Sequence, residues 1–146
     1  MLFTRRFSAA LIAALFLLGA VSAQAQTPGA AGIGDPYFPN LGNGGYDVQH
    51  YAIDFALDDD LAHFTATTTI DARATQDLSA FNLDFQAGDV DQITVGDAPA
   101  AFALDGSELT ITPAAPLNDG DAFTVVVSYQ GSPETRDLPE SFAALG

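Results

Sequence analysis

The chain has 146 residues, enough for one domain with short tails. It holds 19 acidic residues against four arginines, with no lysine and no cysteine. Such a charge repels phosphate backbones and anionic headgroups, which excludes nucleic-acid and membrane-surface binding. The cysteine count excludes disulfides and a lipid-modified cysteine anchor, so the fold must rest on its core.

Residues 1–25 read as a secretory signal peptide. Arg5 and Arg6 supply a positive start, Phe7 to Val21 an apolar run, and Ala23-Gln24-Ala25 the small residues of a cleavage site. Cleavage is expected after Ala25, with Ala23 as the alternative. The apolar run falls short of the ~18–20 residues that span a bilayer, so no membrane span is expected after cleavage. The expected location is secreted, periplasmic or cell envelope. All the acids and two of the arginines lie beyond residue 25, where the formal charge is −17 with histidines neutral. The plain reading of that charge is solubility.

Residues 26–45 read as a Gly/Pro-rich lead-in, with Gln26 to Gly34 as a linker. Two prolines and three glycines between Asp35 and Gly45 exclude regular structure there. The aromatic pair Tyr37 and Phe38 implies that the lead-in packs on the domain.

From Tyr46 the hydrophobic period is two. Tyr51, Ile53, Phe55 and Leu57 alternate with small or acidic residues, and Asp58-Asp59-Asp60 makes a polar turn. Phe64, Ala66, Thr68, Ile70 and Ala72 then share one face, with threonines, Asp71 and Arg73 on the other. Threonine-rich alternation marks half-buried strands, and the two runs predict an antiparallel hairpin. Further strands follow at Phe81–Phe85, around Ile93 and Val95, and at Ala101–Leu104 and Leu109–Thr112, with Asp105-Gly106 as a hairpin turn. Pro113 to Gly120 is a loop, and Phe123 to Tyr129 is the last strand. About seven strands with Gly/Asp turns predict an all-β fold, an antiparallel β-sandwich over residues 46–131. Residues 132–146 read as an irregular C-terminal tail.

The residues offer little chemistry. Zinc proteases place His-Glu-x-x-His on a helix, because residues four apart share a face. His50 and His63 are the two histidines, and neither starts that motif. Together with an acid they could supply three ligands, but their spacing predicts no site. Asp58-Asp59-Asp60 lacks the alternate oxygens and turn glycine of a calcium loop, and reads as a solvated turn. Asn118, Asp119 and Asp121 around Gly120 are turn residues. Ser79, Ser107, Ser128, Ser132 and Ser141 lack a nucleophile-elbow context. Gly42-Asn43-Gly44 has no preceding strand or following helix to make a phosphate loop. The catalytic and metal assignments are therefore none, and substrate-binding residues stay unassigned.

One stretch is distinctive. The run from Gly34-Asp35-Pro36-Tyr37-Phe38-Pro39 through Gly42-Asn43-Gly44-Gly45-Tyr46 to Tyr46-Asp47-Val48-Gln49-His50-Tyr51 resembles the start of mature secreted bacterial M1-family zinc aminopeptidases, the aminopeptidase N or leukotriene A4 hydrolase-like family. Ala72 to Phe85 and Phe123 to Gly131 also resemble their N-terminal domain. The resemblance implies a β-sandwich that packs on a thermolysin-like catalytic domain and meets a peptide substrate only beside it. It carries no cofactor onto this chain: the family's zinc motif, third glutamate ligand, transition-state tyrosine and Gly-x-Met-Glu-Asn motif have no counterparts here, and Met1 is the only methionine.

The implied function is a non-catalytic N-terminal domain or fragment of an exported M1-like aminopeptidase, whose parent activity removes N-terminal amino acids from peptides. The alternative is a stand-alone secreted binding or adhesion module; the absence of tryptophan weighs against a sugar platform, to which Tyr37, Tyr46, Tyr51 and Tyr129 could contribute. A third option is a catalytically dead decoy. Because residues 132–146 do not continue the strand pattern, the sandwich is expected to be incomplete. Residues 26–146 should then be soluble through charge yet marginally stable. They should melt below ~65 °C, the upper end for ordinary mesophile domains. Circular dichroism checks this, and a cooperative transition well above that range would count against it.

Overall fold

The computed structural model describes residues 25–38 and 41–133. The expected signal peptide, apart from Ala25, and nearly all of the expected tail lie outside the described residues. Those described form nine strands and no helix: β1 (Thr27–Pro28), β2 (Tyr46–Leu57), β3 (Phe64–Ala74), β4 (Leu78–Asp84), β5 (Asp89–Val95), β6 (Ala98–Pro99), β7 (Ala101–Asp105), β8 (Glu108–Thr112) and β9 (Ala122–Gly131). They build two sheets, β1-β4-β8-β7 and β2-β3-β9-β5-β6. Every pairing is antiparallel except β1 with β4. The all-β sandwich expected from the alternation is the fold observed.

Seven strands match the alternating runs. The other two, β1 and β6, are two residues each, too short for alternation to mark. β1 lies inside the stretch that reads as a linker. The lead-in does pack on the domain, but through backbone rather than through its aromatic pair. Gly29 N–H donates to Ala80 O at 2.9 Å, and Gly44 N–H donates to Ala30 O at 2.8 Å. Tyr37 is 85% exposed and Phe38 is also exposed, against the expectation. Glycine is needed where the lead-in crosses: a Cβ on Gly29 would sit 2.5 Å from Gly44 O.

The β2–β3 hairpin forms as expected, with Leu57 opposite Phe64 and Tyr46 opposite Ala74. A bulge at Gln49 lies between Val48 and His50. It adds one residue, so the inward set changes phase and reads Tyr46, Val48, Tyr51, Ile53, Phe55, Leu57. Two tight turns use the same device. Gly106 (φ 62°) leads the two-residue loop of β7–β8, and Gly96 (φ 60°) leads that of β5–β6. Positive φ costs glycine nothing, and two-residue hairpins favour it.

The core lies between the sheets. Leu78, Phe81, Ile93, Leu109, Ile111 and Val125 are fully buried, with Ile70, Phe123 and Val127 beside them. Three rings cross between the layers: Phe81 to Phe123 at 5.4 Å, and Tyr46 edge-on to Phe81 at 5.7 Å and to Phe123 at 6.3 Å. The layers do not overlap fully. Tyr51, Ile53, Phe55 and Leu57 point to the inner side, yet Ile53 is 63% exposed and the others are exposed too. The sequence pattern predicts a half-buried strand there. Phe102 and Leu104 on β7, opposite Ile111 and Leu109, are likewise exposed.

Phe81→Ala should therefore cost about 3–5 kcal/mol, the usual range for a fully buried phenylalanine. Ile53→Thr should cost under ~1 kcal/mol, as an exposed change does. Urea unfolding of both variants checks the contrast.

Candidate functional site

One concavity among the described residues is a cavity of about 450 Å³ between the sheets, open beside β2; larger ones of about 620 and 1030 Å³ lie elsewhere on the surface. Tyr46, Val48 and Tyr51 line the first from β2, and the Gln49 bulge is what brings Tyr51 onto that side. Thr68 and Ile70 come from β3, Val127 and Tyr129 from β9, and Leu83 to Ala87 from the end of β4 and the loop after it. Gly42 and Asn43 of the lead-in close one side.

Its polar groups are held in place. Tyr46 Oη donates to Asn82 O at 2.7 Å, and Asn82 Nδ2 donates to Gly29 O at 3.3 Å. Burial first, then the charges of Tyr51, Asp84 and Glu108, push the Tyr46 hydroxyl well above the usual phenol range, so it stays a donor. Tyr129 Oη lies 3.2 Å from Thr68 Oγ1, and its ring meets Phe85 edge-on at 5.3 Å. Asp84 Oδ2 accepts from Gly42 N–H at 2.8 Å. With its amide oriented to satisfy both neighbours, Asn43 donates to Glu108 Oε1 at 2.7 Å and accepts from Asp84 N–H at 3.1 Å. Glu108 stands directly opposite Asp84 in the β4–β8 ladder. Burial, then the Asp84 charge, raises the Glu108 carboxyl above its ordinary range.

Three of the four tyrosines weighed from the sequence, Tyr46, Tyr51 and Tyr129, meet at this cavity, and Tyr37 does not. The carboxylate of Asp121 closes its own turn, accepting from Asn118 N–H at 2.8 Å and Asn118 Nδ2 at 3.0 Å. Ser128 Oγ lies 3.5 Å from Thr67 Oγ1, in keeping with a structural role. Ser141 lies outside the described residues.

The histidines are far apart. His50 stands opposite Asp71 on the outer face of β2, whereas His63 sits in the β2–β3 turn. Seven residues of strand between His50 and Leu57 span roughly 24 Å, so one ion cannot hold both. The turn gathers Asp58, Asp60 and His63 instead, with ligand atoms within 4.8 Å of one another and all three exposed. His63 Nδ1 lies 3.9 Å from Asp58 Oδ2. Alternation does not show this grouping, because an irregular turn with Leu61 at φ 59° produces it. A catalytic zinc of the metallopeptidase kind does not fit here. The sequence has no helical His-Glu-x-x-His, and the turn offers a single imidazole without an adjacent glutamate base.

No family model matches the sequence, and no curated protein matches it. Solved structures do. An M1 zinc metallopeptidase from Deinococcus radiodurans is similar at 27% identity and TM-score 0.63, covering 70% of this chain and 24% of that one. A mutant of that enzyme bound to a Tyr-Ser-Ala substrate gives 27% identity and TM-score 0.64, covering 73% and 25%. A two-domain M1 zinc metallopeptidase mutant bound to L-tryptophan gives 27% identity and TM-score 0.65, covering 74% and 25%. The chain resembles the N-terminal domain of M1 zinc metallopeptidases, as its opening motif implies, and spans about a quarter of the length of the structures it matches.

The Asp84–Glu108 pair gives the site a pH signature. A carboxyl whose folded pKa is raised stabilises the fold when protonated, fully so below its unfolded pKa, and that contribution is lost as pH rises through the folded value. Glu108→Gln keeps an acceptor for Asn43 and removes the repulsion. At neutral pH it should stabilise by less than ~1 kcal/mol, since the like charges are largely screened by solvent. Below the ordinary glutamate range of ~4.3 the gain should vanish. Urea midpoints of both proteins at the two pH values check this.

Proposed function

We propose that this chain is a non-catalytic β-sandwich module of an exported M1-like zinc metallo-aminopeptidase. The observation that carries the reading is a double agreement. The opening motif from Gly34 to Tyr51 points to that family, and the folded domain superposes on a quarter of M1 zinc metallopeptidase structures. The module would cover and shape a peptide cleft whose zinc and reacting groups belong to a catalytic domain. A peptide substrate would be met only in that setting. Arg5, Arg6, the apolar run and Ala23-Gln24-Ala25 support export into the envelope or medium of a bacterium.

The physical case for inactivity is the ligand set. A hydrolytic zinc needs three protein ligands, an open coordination position and a base beside its water. The Asp58, Asp60 and His63 group has neither the helical frame nor the base. The 450 Å³ cavity favours a second reading, a secreted binding module, because an aromatic-lined concavity is where small ligands settle.

Purified chain with added zinc should show no turnover of an aminoacyl chromogenic substrate. Turnover that a chelator abolishes would overturn the proposal.

A further inference from the structure

The inner face of β2 changes character along its length. Tyr46 and Val48 pack on the core, whereas Tyr51, Ile53, Phe55 and Leu57 form a row that is 41–63% exposed. The smaller sheet stops at Asp84 and leaves the far part of that row, Ile53 to Leu57, without a cover among the described residues. A single apolar side chain on a surface needs no explanation, but a continuous row on the inner side of a sandwich does. Phe55 stacks on Phe64 with ring centroids 5.1 Å apart and keeps its other face open.

The two ends of the described chain leave the domain at opposite ends of β2. The N-terminal end lies by its start: the Gly29 Cα is 3.2 Å from where a Cβ on Gly45 would stand. The twelve residues of β2, roughly 36 Å of strand, separate that point from Leu57. The C-terminal end lies beside Leu57. Gly131 is paired with Phe64, and Phe64 with Leu57. A Cβ on Gly131 would stand 2.8 Å from the Phe64 ring, the ring on which Phe55 stacks. Ser132 and Pro133 line one concavity with Asp58, His63 and Phe64. The chain therefore leaves β9 two strand spacings, about 10 Å, from the open row.

The sequence beyond Pro133 suits this face. Glu134, Thr135, Arg136 and Asp137 are polar, and four extended residues reach about 13 Å, enough to cross to β2. Leu138, Phe142 and Leu145 then recur four and three apart, the spacing that puts side chains on one face of a helix. Asp137 with Glu140 three residues on is a helix start signal, and Gly146 a stop signal. Eight helical residues measure about 12 Å, close to the roughly 13 Å from Ile53 to Leu57. So short a helix does not hold in water without a surface to bury its apolar face. Charge favours this occupant over a second copy. A copy brings 16 acids and one arginine in its described residues, whereas residues 134–146 bring three acids and one arginine.

We propose that the segment from Leu138 to Leu145 docks on the open inner face of β2, with Leu138, Phe142 and Leu145 over Ile53, Phe55 and Leu57. The four-residue tether makes this an intramolecular contact at an effective concentration on the order of millimolar, so a weak interaction suffices. It is a local closure, and opening it leaves the sandwich folded, as with other elements of low local stability. Ile53→Thr thus loosens the segment at little cost to the fold. With acids in excess on both partners, apolar contact is what holds the segment, and added salt does not release it. The inference does not depend on the peptidase reading, because it uses only this domain's own face and the chain that leaves beside it.

The test uses the absence of tryptophan from the chain: Phe142→Trp places its single indole in the segment. In the native protein the indole should emit at shorter wavelength than in the urea-unfolded chain, and acrylamide should quench it less. Ile53→Asp, at an exposed position, should move the emission to the wavelength of the unfolded chain while circular dichroism keeps its sheet signal. Leu138→Asp should do the same from the side of the segment, and it alters no residue of the sandwich. Dilution should leave the emission unchanged. An indole that emits in the native protein as it does in urea would overturn the proposal. So would a short-wavelength emission that Leu138→Asp, or a folded Ile53→Asp variant, leaves unmoved, since the segment would then lie elsewhere. A shift on dilution would overturn it too, giving the face to a second copy.

Discussion

The contact on which this domain depends is the meeting of Phe81, Phe123 and Tyr46 between the two sheets. Phe81 comes from the smaller sheet, and Phe123 and Tyr46 from the larger, with ring centroids 5.4 to 6.3 Å apart. With no disulfide, this packing and the aliphatic layer beside it hold the layers together. The trio also sets the position of what is polar. Once Tyr46 is fixed, its hydroxyl reaches Asn82 O, and the Asn82 side chain reaches Gly29 O. An aromatic contact in the core thus places a lead-in whose large apolar side chains Ile33, Tyr37, Phe38 and Leu41 are exposed.

The same contact explains the cavity. Tyr46 sits where the inner face of β2 passes from covered to uncovered, and the Gln49 bulge turns Tyr51 towards the same side. Beyond that point the smaller sheet ends, at Asp84, and only Phe85 leans across to Tyr129. A filled core on one side and an aromatic-lined opening on the other follow from one mismatch in strand length, seven residues in β4 against twelve in β2.

How much of this was legible depended on whether a feature repeats. The period of two located all seven long strands, and the phase of β3 and β9 named the buried residues, from Ile70 to Val127. Asp105-Gly106 and Gly96-Asp97 declared their turns because positive φ selects glycine. Three features were hidden. Two-residue strands carry no period. The bulge at Gln49 breaks the period at the position where Tyr51 is set. Exposure of Ile53 and Phe55 depends on where the opposite sheet ends, which no local pattern encodes. For the site, the aromatic residues could be counted in the sequence, but the convergence of Tyr46, Tyr51 and Tyr129 needed the register. Tyr37 and Phe38 misled because aromatic character normally signals burial, whereas Asp35 Oδ1 captures both of their N–H groups at 2.7 and 3.0 Å in a turn that faces solvent.

The charge and the exposed stripe belong to one physical problem. β2 is an edge strand with Tyr51, Ile53, Phe55 and Leu57 uncovered, the arrangement that invites pairing with another chain. The bulge at Gln49 interrupts this edge near its start, and from His50 to Leu57 the ladder runs without a register shift. The restraint is electrostatic: Asp47 and Asp54 lie on the strand and Asp58, Asp59 and Asp60 close its end, with no lysine anywhere in the chain to neutralise them. Two copies approaching through β2 would bring these acids together. That repulsion acts over a Debye length of only ~8 Å at physiological ionic strength, so it opposes contact rather than approach. The acids therefore protect this edge most in dilute salt.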